Sequence, residues 1–197
     1  MSFCPVTGGK ECFCETKPAT KIGSALLVDA KAALRKLFSD HLFYTLLVIN
    51  ETVPHVEPSQ PEFVKRLLQN PKDLGEFLTP IVGADKAKIV DQLFTEHLEL
   101  AAATLGPLNA GDKKKIDAAV KAFFDQGERL AQGLSSLRPN KLSLVFAWDL
   151  VSQHNHFVVD LAVLRSEGKT KQQIKTFDRY FHHGLKFADV IYEALTS

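Results

Sequence analysis

Beyond residue 14 the chain contains no cysteine; Cys4, Cys12 and Cys14 are its three thiols in 197 residues. The rest of the chain therefore folds without disulfides, and a domain of this length, burying roughly 70% of its unfolded surface, needs none. Three is an odd number, and the C-x7-C-x-C spacing matches no common zinc module, so the thiols read as free groups on an arm. A zinc site with a distant fourth ligand, or a disulfide between chains, remains an alternative. There is no charge surplus either, since 24 Lys plus Arg stand against 23 Asp plus Glu for a net charge of +1. Nucleic-acid binders usually carry a basic excess, so the balance weighs against such a partner. The longest apolar run, Leu42 to Ile49, is interrupted by Thr45 and is too short to span a bilayer. No apolar stretch in MSFCPVTGGKECFCE could serve as a secretory signal. The expectation is a soluble, cytoplasmic protein without a membrane partner.

Several catalytic signatures are missing as well. There is no G-x-x-x-x-G-K-[ST], no G-x-G-x-x-G after a strand and no G-x-S-x-G, which weighs against P-loop, dinucleotide-binding and α/β-hydrolase chemistry. The H-E-x-x-H of zinc proteases is absent, and so is the paired E-x-x-H of di-iron bundles. No alternating pattern long enough for a strand occurs, and no repeat at a solenoid period.

What is present is helical periodicity. Residues 1 to 22 mix Gly, Pro, Cys and Thr without a pattern and read as a flexible arm, leaving residues 23 to 197 as one domain. From Ser24, the residues Ala30, Leu34, Leu37, His41, Tyr44 and Val48 recur at three- and four-residue steps until Pro54 and Pro58. Pro61 and Pro71 open short segments, the second ending near Pro80 and Gly83. Further long stripes run over 84 to 105, 112 to 134, 142 to 165 and 170 to 195, with a turn at Gly106, Pro107, Asn109 and Gly111. The pattern predicts an all-α fold, an antiparallel bundle of five long helices plus short helical segments.

The chemistry-bearing residues stand out by position. His41, His97 and His154 each fall within the apolar stripe of a different long helix, and in an antiparallel bundle those stripes converge. Any one alone would read as a core histidine bonded to a neighbour, because a buried imidazole needs partners for both nitrogens. Together they suggest one site. Glu96 adjoins His97, with Glu99 one turn away. Asp178 and Asp189 on the last helix lie about 20° apart around its axis, with His182 on the same face. Lys113, Lys114 and Lys115 read as a solvated face and Trp148 as a packing residue.

These motifs resemble a family of small all-helical proteins found in bacteria and large DNA viruses, often labelled acetylglutamate kinase. The resemblance covers residues 35 to 197. It rests on Phe38, His41 and Thr45; on Arg66 to Asn70 followed by Asp73, Leu74 and Gly75; and on Glu96, His97 and Leu98. It also includes a variant motif from Phe123 to Ala131 and the mutual spacing of His154, Gly168, Asp178 and Asp189. Leu46, Gln126 and Glu128 stand where the family pattern has Arg, Asn and Asp. The resemblance singles out His41, His97, His154, Asp178 and Asp189 among the polar residues. The kinase label does not suit the chain, because such an enzyme needs an α/β sheet and a Gly-rich phosphate loop.

Three functions fit. One is a divalent metal site for zinc, iron or manganese, with His41, His97 and His154 as nitrogen ligands and Glu96, Asp178 or Asp189 supplying oxygen. Another is a structural or interaction protein, for instance a virion component as the family's distribution suggests, with a homo-oligomer open in either case. The third is a small hydrolase using a His–Asp general base. The arm has a direct test: deleting residues 1 to about 20 should leave the melting temperature nearly unchanged. A fall of more than about 5 °C, roughly 1–2 kcal/mol for a domain of this size, would show that the arm packs or binds metal.

Overall fold

The computed structural model describes residues 19–53 and 61–197, with side chains from Asp29 to Val53 and from Glu62 onward. The cysteines lie outside the described residues. The described residues form eight helices: α1 (Ala19–Thr52), α2 (Pro61–Leu67), α3 (Asn70–Val82), α4 (Ala84–Ala103), α5 (Leu105–Ala110), α6 (Lys113–Leu137), α7 (Leu144–Ser166) and α8 (Thr170–Thr196). Five are long, and no strand occurs among the described residues. No helix among them is long and apolar enough to cross a membrane.

The boundaries follow local chemistry. The Asp112 carboxylate accepts from the Lys115 backbone N–H at 3.1 Å and starts α6, and the Ser143 hydroxyl does the same for Phe146 at 3.3 Å and starts α7. Gly168, at φ 67, stops α7. The bonds from Gly168 N to Arg165 O and from Lys169 N to Leu164 O close the end in the left-handed C-cap pattern that favours glycine. Two expectations shift. α1 starts at Ala19 rather than Ser24, since Ala19 and Lys21 are good helix formers and extend the register. The stretch expected as a turn at 106 to 110 is the short helix α5. Pro107 is tolerated in its first turn, Leu105 is buried beneath it and Gly111 ends it at φ 63.

Short connections force neighbours in sequence to pack side by side, antiparallel. α3 packs on α4, α4 on α6, α6 on α7, α7 on α8 and α8 back on α1, which also touches α2, α3 and α7. The enclosed core has two apolar halves. One gathers Leu34, Val90, Leu134, Val151, Phe187 and Ile191, with Trp148 packed at its edge. The other gathers Leu42, Ile49, Leu98, Phe123, Leu161 and Tyr180. The family-like segment Asn70 to Gly75 serves packing here: the Asn70 amide donates to the Leu37 carbonyl at 2.8 Å, tying α3 to α1.

α8 packs tightly on α1 at Gly184, where an added Cβ would overlap the methyl carbons of Leu42, a side chain with no exposed surface. Gly184→Ala should therefore lose about 1–3 kcal/mol by overpacking, despite alanine's better helix propensity. Urea denaturation reads this directly, and an unchanged midpoint would show that Leu42 can turn aside.

Candidate functional site

Between the two apolar halves lies a polar layer, to which each of the five long helices contributes one residue: His41 from α1, His97 from α4, Gln126 from α6, His154 from α7 and His183 from α8. All five are buried, with Gln126 at 0% exposure and His97 at 2%. The layer falls at the same height on every helix. Along each one it separates residues of the first apolar half from residues of the second.

His41 Nε2 and His154 Nε2 face each other at 3.2 Å, and their rings stack with centroids 5.2 Å apart. The His97 ring lies 6.2 Å from that of His154, and His183 lies 6.5 Å from it on another side. Phe94 packs on His41, Phe123 on His97, and Tyr180 on His154. The histidine tautomers follow from the hydrogen bonds. The Gln126 amide N–H donates to the Leu93 carbonyl, which aims Gln126 Oε1 at His97. His97 Nδ1–H donates to that oxygen at 2.8 Å, so His97 Nε2 carries the lone pair. His183 Nε2–H donates to the Leu150 carbonyl at 3.0 Å.

The layer is incompletely satisfied. His41 Nδ1 has no partner whichever ring donates in the pair with His154. The Thr45 hydroxyl, one turn further along α1, and the Tyr180 hydroxyl lie near enough to act on each other, yet neither reaches ordinary hydrogen-bond geometry with any group. Asn155, fully buried beside His154, leaves both amide atoms unpaired, and Gly127 on α6 makes room for it. Buried polar atoms without partners are rare in cores and mark a layer that a bound water, ion or small molecule would complete.

No carboxylate bonds an imidazole of this layer among the described residues. Burial is therefore the largest influence on the imidazoles and disfavours their charged form. It lowers His41 to about 3, with His97 adding to the effect. It lowers His97 to about 4 against the opposing bond to Gln126. His154 is pushed well below the ordinary imidazole value by burial and then by His41, His97 and His183. Burial lowers His183 too, and the tyrosine hydroxyl of Tyr180 is raised for the same reason.

The structure thus brings His41, His97 and His154 together and places the three acidic residues elsewhere. Glu96 points outward to Arg129 at 2.5 Å, because the residue next to a buried helical position sits 100° away around the axis. Asp189 holds α8 to α1 through two bonds to Arg35 at 2.7 and 2.5 Å and a contact with Lys31 at 3.4 Å. The Arg35 hydrogen bonds keep its carboxyl below the usual range. Asp178 is exposed in a surface groove between α7 and α8 that Arg179, His182 and Lys186 also line, and that His183 of the polar layer borders. Sequence reasoning missed His183, Asn155 and Tyr180, and named Thr45 and Gln126 only as motif positions, not as parts of the site. His183 could have been found from the stripe Tyr180, Gly184, Phe187 and Ile191, on which it lies, whereas its neighbour His182 does not. Compared with known proteins, the chain matches no family model, no curated protein and no solved structure.

The depressed imidazoles give stability a defined pH dependence. In the unfolded chain they bind protons near the ordinary value of about 6.5, but the folded chain resists protonation until about 4 at His97 and about 3 at His41. Below 6.5 the unfolded state therefore binds more protons, so stability is complete above that pH and falls as pH drops. Each such histidine should remove up to about 1.4 kcal/mol per pH unit. The urea midpoint should be flat above pH 7 and fall between 6.5 and 5, above the range of carboxylate titration. His154→Gln should flatten that slope; a wild-type midpoint equal at pH 7 and pH 5 would contradict a neutral cluster.

Proposed function

We propose that this protein is a binding bundle whose mid-core imidazoles take up a transition metal ion through nitrogen alone. The approach of His41 Nε2 to His154 Nε2 at 3.2 Å carries this reading. Two imidazole nitrogens on one tetrahedral ion, each at ~2.0–2.1 Å, stand roughly 3.3–3.4 Å apart. The Gln126–His97 bond is of the kind that fixes a metal-binding histidine, one ring nitrogen tied to an oxygen and the other left with its lone pair. His41 and His154 would hold the ion, with His97 the next nitrogen at hand. Among the described residues no group of three or more His, Cys, Asp or Glu side chains is already arranged for a metal. Glu96, Asp178 and Asp189 are not needed as ligands on this reading. Of the ions considered from the sequence, a nitrogen-only set suits zinc better than manganese, and copper joins it. Bound there, such an ion would supply a Lewis acid shielded from water.

A second reading, a structural or interaction protein with a polar core, draws support from the apolar walls and from the lack, among the described residues, of any carboxylate bonded to the layer's histidines. The hydrolase reading has less behind it, because no carboxylate bonds a histidine among the described residues.

Titration of the chelator-treated full chain with zinc and with cuprous ion separates the two remaining readings. Metal uptake predicts saturation at about one equivalent per chain, lost in the double variant His41→Ala, His154→Ala while helix content persists. No uptake by the wild-type chain would overturn the metal reading and leave the polar-core one.

A further inference from the structure

The three imidazoles do not fill the middle of the core; they form a shared wall between two cavities. The first, of about 30 Å³, is lined by His41, Thr45, His97 and His154 together with aliphatic side chains such as Val48 and Val158. The second, of about 40 Å³, is lined by the same three imidazoles and otherwise by carbon, with Phe38, Val90, Leu130 and Val151 among its walls.

The two cavities offer different things. The first counts Thr45 among its walls, a residue 6% exposed that carries a hydroxyl. Among the described residues the second is lined by apolar side chains and by the shared rings, which turn almost only carbon toward it. A buried water needs two to four polar partners, so a cavity whose walls are nearly all carbon favours an apolar occupant over water. A void of this size also deprives its lining atoms of dispersion contacts, a loss that a filling molecule restores.

We propose that the second cavity is a binding site for a small, uncharged, apolar molecule of the size of dioxygen or nitric oxide, held against the imidazoles of His41, His97 and His154. Among the described residues no charged side chain lines either cavity, so an ion or a polar metabolite would lose its hydration without a replacement. The volume admits a diatomic molecule and excludes an aromatic or sugar-sized one. The cavity stands independently of any metal. Only the further step, that the molecule arrives beside a bound ion, rests on the reading proposed above.

Dioxygen itself is the probe. Because it is paramagnetic, dioxygen dissolved under pressure in the metal-free full chain should broaden the NMR methyl signals of Val90, Leu130 and Leu134 far more than those of equally buried residues such as Leu161. Val151→Phe fills the cavity and should reduce that excess broadening at least tenfold; Val151→Leu, a gentler change if the larger ring impairs folding, should reduce it measurably. Broadening no greater than elsewhere in the wild-type core, or broadening unaffected by both substitutions, would overturn the assignment. So would an ordered water in the second cavity in a crystal structure. Because the chain is metal-free throughout, failure here speaks against the cavity site, whereas failure of the metal titration leaves this result standing.

Discussion

A neutral imidazole carries one donor and one acceptor, and inside a core that excludes water each needs a partner. Four such rings buried at one height of a helical bundle set the terms for everything around them. His97 gives its donor to Gln126, which is in turn aimed by the Leu93 carbonyl, and His183 gives its donor to the Leu150 carbonyl. His41 and His154 are left to each other, and one nitrogen of His41 remains over. Neutral chains of this sort are high-stakes: complete, they hold a core in a single arrangement, and incomplete, they call for an additional partner.

The packing around the layer shows how closely the helices approach there. Gly127 faces the Asn155 amide, Gly133 faces Leu93, and Gly184 faces Leu42. In each case the missing side chain is occupied by a neighbour from another helix. Asn155 adjoins His154, Leu93 accepts the bond that orients Gln126, and Leu42 follows His41, so the three close contacts all lie beside the polar layer. Aromatic rings from Phe94, Phe123 and Tyr180 complete the enclosure. The outcome is a site whose walls are rigid and whose donors are uncharged.

Charge is kept to the perimeter. Asp189 with Arg35 and Lys31, Arg129 with Glu96, and Arg66 with Asp40 tie helices together at the surface. Pairs this exposed contribute little stability each, since solvent screens them. Their effect on function is indirect: carboxylates engaged outside leave the core without a counter-charge. A doubly charged ion would thus depend on the imidazoles and on any anion it brought, and an uncharged molecule would meet no such barrier.

How much of this was legible in the sequence depends on what periodicity can carry. The 3.6-residue spacing of apolar residues established the five long helices, and short turns established their antiparallel order. The same spacing put His41, His97 and His154 on inward stripes, which is why their meeting could be anticipated from residue positions alone. Direction at the edge of a stripe was not legible. Asp178 and Asp189 share a face of α8 as their eleven-residue separation requires, yet that face meets solvent and α1 rather than the core, because only the packing of α7 and α1 around α8 decides which side is inside. The choice of His183 over His182 turned on the same 100° step. Asn155 and Tyr180 carry no sequence signature of a site, and Thr45 and Gln126 stood out only as motif positions, since the role of all four comes from neighbours far away in the chain. Local periodicity is written residue by residue along one helix, whereas the polar layer and its two cavities exist only where five helices meet.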